Sequence, residues 1–76
     1  MLPHQERVIA EQLKLTAMVL ALGNFIDSST FKNVEADEQS RLRRQYFYMV
    51  QYRSTLSERI DHFVDEDAGL RTRQQA

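Results

Sequence analysis

Two rows of residues, each stepping alternately by four and by three, run through most of this chain. The first is Val8, Gln12, Leu15, Val19, Leu22, Ile26; the second is Leu42, Tyr46, Met49, Arg53, Leu56, Ile60, Phe63. That spacing holds side chains on one side of an α-helix, whereas a strand alternates its sides at every residue. It is also the spacing of a coiled-coil-like seam. Between the rows, Asp27, Ser28, Ser29 and Thr30 form a cluster of turn and capping residues. The chain is therefore expected to be all-α, an antiparallel two-helix hairpin. Helix 1 is expected over about residues 4–27, a connection at 28–35 and helix 2 over about 36–64.

Local signals agree with that division. Pro3 suits a first helical turn, where its missing N–H is not needed. Gly23 interrupts helix 1, but Phe25 and Ile26 continue the apolar pattern, so it reads as a glycine tolerated inside a helix at about 1 kcal/mol. Glu35, Asp37 and Glu38 crowd the start of helix 2, where negative charge complements the helix dipole. Phe31 and Val34 are expected to tuck over the hairpin's end. Residues 65–76 are polar, contain Gly69 and lack periodicity, and are expected to form a disordered tail. Folding the chain back at residue 32 aligns Leu22 with Leu42, Val19 with Tyr46, Leu15 with Met49 and Val8 with Leu56. The same register sets Gln12 against Arg53, a polar layer that would fix the alignment.

A chain of 76 residues holds one domain, and below roughly 70–80 residues a core usually needs a staple. There is no cysteine, and His4 and His62 are not spaced as a ligand pair, so no structural metal is expected. A partner chain is the remaining staple. Residues 17–22 are apolar around more than a full turn, and Ile9, Leu13 and Leu20 form a second stripe beside the first row. On helix 2, Phe47 and Val50 point off the row, and Tyr48 and Tyr52 lie on further faces. A helix apolar on several sides must be covered on several sides. The hairpin is expected to assemble into a symmetric helical-bundle homo-oligomer, a two-fold four-helix bundle being the simplest case and a larger ring remaining open.

Ten basic and eleven acidic residues leave a net charge of −1. That balance offers no field for duplex nucleic acid or an anionic membrane. The longest unbroken apolar run is six residues, against about 20 for a bilayer span, and Met1 is soon followed by polar and charged residues rather than a leader. A cytoplasmic protein without membrane association is expected. No nucleophile–base–orienter set is visible, and two glycines, Gly23 and Gly69, cannot build a phosphate loop. No enzymatic activity and no cofactor are expected.

The chemistry concentrates in residues 41–48, where Arg41, Arg43 and Arg44 precede Tyr46, Phe47 and Tyr48. Guanidinium forks grip phosphates and aromatic faces stack on bases. The candidate ligand-binding residues are Arg43, Arg44, Tyr48, Tyr52 and Arg53, for a small anionic nucleotide. Arg59, Arg7 and Lys14 are further basic candidates. Ser28, Ser29 and Thr30, beside a helix start, are another place for an anion. Against this stands a plainer arrangement, with the arginines solvated or paired to acids one turn back and Tyr46 and Phe47 in the core.

Three segments carry a resemblance. They are Glu6-Arg7-Val8-Ile9-Ala10-Glu11, then Phe25-Ile26-x-Ser28-x-x-Phe31, then Glu38-Gln39-x-x-Leu42-x-x-Gln45-x-x-x-Met49-x-x-Tyr52-x-x-x-Leu56-x-x-Arg59-Ile60. Over residues 6–60 the chain resembles a group of short phage helical-hairpin proteins that includes the anti-CBASS and anti-Thoeris sponges. The resemblance implies an oligomeric hairpin that binds a cyclic nucleotide immune signal and withholds it from a bacterial defence effector, in the host cytoplasm. The alternative from the residues alone is a helical protein-interaction module that inhibits a host protein by direct contact through its excess apolar surface.

Overall fold

The computed structural model describes residues 1–63; the expected polar tail lies outside them. Helix α1 spans Pro3–Ile26, a single 3-10 turn covers Ser29–Asn33, and α2 spans Ala36–Asp61. The helices lie antiparallel, with His4 beside Phe63 at the open end and Gly23 beside Tyr46 near the closed one. All-helical hairpin architecture is what the two rows require.

Each helix end has its own stop. At the start of α1 the Leu2 carbonyl accepts from Gln5 N–H and Glu6 N–H, and Leu2 N–H donates to Gln5 Oε1 at 2.9 Å. At its end Ser28 Oγ donates to the Phe25 carbonyl at 2.6 Å. Glu35 caps α2, its carboxylate accepting from Asp37 N–H and Glu38 N–H. The donors of that N-terminus are thus already engaged by the chain's own acid. Between the helices Phe31 is buried, with Phe25 edge-on at 5.7 Å and the Arg43 guanidinium 5.0 Å above its ring. Gln39 Nε2 donates to both the Phe31 and Val34 carbonyls, at 3.1 and 2.8 Å, and so ties the turn to α2.

Every member of the two rows is buried or half-buried. Val8, Leu15 and Val19 of α1 pack with Leu56 of α2, and Tyr46, Met49, Val50, Ile60 and Phe63 close around them. Val50 therefore belongs to the core's margin, although its place in the sequence puts it off the row. Gln5, one step further along the first row, is fully buried.

The polar layer is not the one expected. Gln12 Nε2 donates to Ser57 Oγ at 2.6 Å, and Ser57 Oγ donates in turn to the Arg53 carbonyl at 3.2 Å. Arg53 contributes its backbone, not its guanidinium. The cause is directional: helical side chains lean toward their own N-terminus, which for α1 is the open end, where the later residues of α2 lie. The same lean carries Tyr46 past Val19, so that a Cβ added at Gly23 would lie 3.1 Å from its ring.

By length and composition α1 is also long and apolar enough to cross a membrane, with mean hydropathy 1.3 over an 18-residue window. The expectation from the sequence counted only unbroken apolar runs and missed this. In the hairpin, Val8, Leu15 and Val19 of this helix are buried.

Candidate functional site

Two hydrogen bonds between the helices bracket the seam and define the hairpin's two flanks. Gln12 to Ser57 marks one side. On the other, Tyr52 Oη donates to Glu11 Oε1 at 2.5 Å. Helical rows extend each flank at steps of three and four residues. Beside Gln12 and Ser57 run Ile9, Leu13, Thr16 and Leu20 on α1, with Ser54, Val50, Phe47 and Arg43 on α2. Beside Glu11 and Tyr52 run Arg7, Lys14 and Met18 on α1, with Arg59, Tyr48, Arg44 and Arg41 on α2.

The flanks differ in chemistry. The first is apolar: Leu13, Leu20 and Phe47 are 68%, 59% and 57% exposed. The second is basic and aromatic. Arg41 is occupied, reaching Glu38 at 2.8 Å and Glu35 at 3.8 Å. Arg7, Lys14, Arg44 and Arg59 make no ion pair among the described residues. Tyr48 is exposed, with Phe47 edge-on at 5.5 Å.

Of the five candidate residues, the fold brings Arg44, Tyr48 and Tyr52 together along one row at four-residue spacing. Arg43 lies toward the apolar flank, over the Phe31 ring. Arg53 is half-buried in the seam. Arg7, Lys14 and Arg59 join the basic flank, which their scattered positions in the sequence do not announce. Glu11 was missed altogether: an acid on helix 1 gives no sign that it will meet Tyr52. That contact fixes the ring's position, and donation to the carboxylate raises the Tyr52 phenol above its ordinary value of 10.0, with desolvation and the negative charge of Glu11 adding to it and Arg59 opposing.

At the open end a cleft of about 490 Å³ is lined by His4, Glu58, Arg59, His62 and Phe63. It meets the basic flank at Arg59 and contains none of the five candidates. Among the described residues no group of three histidines or acids is placed to hold a metal ion.

These features can be set against known proteins. No solved structure matches the chain. It is 38% identical over 63 residues to an uncharacterized 7.5 kDa protein from the denB–rIIB intergenic region of Enterobacteria phage T4, an alignment covering 83% of this chain and 98% of the phage protein. The model of the Sequestin family matches residues 2–62, which takes in both helices, the turn and both flanks: the chain belongs to the Sequestin family.

Proposed function

We propose that this protein is a phage anti-defence protein that binds a cyclic oligonucleotide or related nucleotide immune signal and sequesters it uncleaved in the cytoplasm of the infected cell. The observation that carries this reading is the basic flank, where Arg44, Tyr48 and Tyr52 follow one another at one-turn intervals and Arg7, Lys14 and Arg59 add charge without ion-pair partners among the described residues. Guanidiniums supply bidentate phosphate contacts and phenol rings supply stacking faces. The family's name, which speaks of sequestration, and the phage relative support the same direction.

A two-helix flank is shallow, and burying most of a small ligand takes a concave site. The reading therefore includes a homo-oligomer whose chains close over the ligand from more than one side. Capture needs no bond broken: the flank offers side chains suited to gripping phosphates and stacking on bases.

The test is calorimetry with cyclic di-, tri- and tetranucleotides and cyclic ADP-ribose isomers, on wild type and on Arg44→Ala/Tyr48→Ala. Binding lost in a folded double variant, with intact nucleotide recovered after heating the complex, is the expected result. A linearised or hydrolysed product would turn the reading toward an enzyme. No binding to any member of the panel would favour the alternative, an interaction module acting directly on a host protein through the apolar flank.

A further inference from the structure

The apolar flank carries an internal symmetry that the basic flank lacks. Contacts across the seam set its level: Glu11 meets Tyr52 and Gln12 meets Ser57 toward the open end, and Tyr46 meets Gly23 toward the closed one. Between them, residues 14–17 of α1 lie level with 50–51 of α2. Turning the hairpin end over end about that level maps the flank onto itself. On α1, Leu20 exchanges places with the stretch holding Ile9 and Leu13. On α2, Phe47 exchanges with Ser54, a large side chain with a small one. Further out, Arg43 exchanges with the turn that leads to Asp61, and both side chains lean toward their own N-termini and so toward each other, so a cation comes within reach of an acid at each end. Both charged side chains are exposed.

We infer that a second copy of this chain docks on the Ile9–Leu13–Leu20–Phe47 flank, antiparallel, about a two-fold axis that crosses α1 at residues 14–17 and α2 at 50–51. Each α1 then lies against the other α1 and each α2 against the other α2, giving a four-helix bundle in which every neighbour is antiparallel. A two-fold interface must be self-complementary, each patch meeting itself reversed. This flank satisfies that requirement in bulk, with Phe47 over Ser54, and in charge, with Arg43 near Asp61. The charge order also chooses the occupant. A bilayer would be indifferent to where the opposite charges fall along the flank, and nothing in an unrelated partner would require them to be related by a two-fold turn. The Arg44–Tyr48–Tyr52 flank stays on the outside of the pair. The inference thus goes beyond the ligand reading and does not depend on it.

Light scattering on the full chain without nucleotide is the test. The expected result is a dimer, or an assembly built from dimers, that falls to a folded monomer of 9.0 kDa in Leu13→Glu/Leu20→Glu. The surface variants Arg43→Glu and Asp61→Arg leave the seam between α1 and α2 untouched and decide the matter if the leucine variant does not fold. Each alone places like charges at both ends of the interface and should dissociate at low salt. Mixed, each supplies what the other lacks, and a one-to-one heterodimer should form. No intramolecular effect of the substitutions predicts that rescue. A folded wild-type monomer would overturn the inference, as would assembly unchanged in both charge variants or failure of the mixture to pair. Flotation of the wild-type chain with phosphatidylglycerol vesicles in place of self-association would overturn it in favour of a membrane surface.

Discussion

Gly23 is helical and has no positive φ, so backbone freedom does not explain it; the Tyr46 ring packs close above it, 3.1 Å from where a Cβ would stand. Gly23→Ala should change stability little, the helix propensity gain of about 1 kcal/mol being set against a ring that must move by a few tenths of an ångström. Gly23→Val should destabilise by about 1–3 kcal/mol through overpacking, read from the urea midpoint. Tyr52 makes a second prediction at this scale. Its phenol is raised in the folded state, so its bond to Glu11 contributes fully below the ordinary phenol pKa near 10 and is lost as pH rises through the higher folded value. A tyrosinate absorbance titration should show one tyrosine ionising late, and Tyr52→Phe should remove that component. The substitution should leave the fold intact, since the contact is on the surface.

Among elements, the seam was legible and its side-chain partners were not. The alternating spacing of Val8 to Ile26 and of Leu42 to Phe63 identifies the buried residues without knowledge of the partner helix, because period alone decides which face turns inward. It says nothing of where a long side chain ends. Gln12 and Tyr46 each reach a turn toward their own N-terminus, and only coordinates reveal Ser57 and Gly23 there. The basic flank was half legible for a related reason. Arg44, Tyr48 and Tyr52 share one helix and a simple spacing, whereas Arg7 and Lys14 join them only when the seam's orientation is known. The seam should be sensitive in proportion to burial. Leu56 is 1% exposed, and Leu56→Ala should cost about 2–5 kcal/mol. Ser57→Ala should cost about 1–3 kcal/mol by stranding the Gln12 amide, while Gln12→Leu/Ser57→Ala together should be close to neutral. A double-mutant cycle in urea measures the difference.

On the scale of the whole molecule, two helices offer only two flanks, and their chemistry is segregated. Salt should therefore act differently on the two kinds of association. Nucleotide capture by Arg44 and its neighbours should weaken steeply as ionic strength rises, because exposed charges are screened within about 10 Å at 0.1 M. Burial of Leu13, Leu20 and Phe47 should be nearly indifferent to the same change, so that self-association responds only through the exposed charges at the ends of its interface and less steeply than capture. Calorimetry and light scattering across one salt series separate them. The turn adds a kinetic consequence. Gln39 holds the Phe31 and Val34 carbonyls, Phe31 is buried beneath Arg43, and the connection cannot straighten without giving up all of these contacts. A hairpin locked in this way does not lend one helix to a neighbour. The proposed assembly would then grow and shrink by whole closed chains, so labelled and unlabelled copies should interchange at the rate of dissociation, far faster than either copy unfolds.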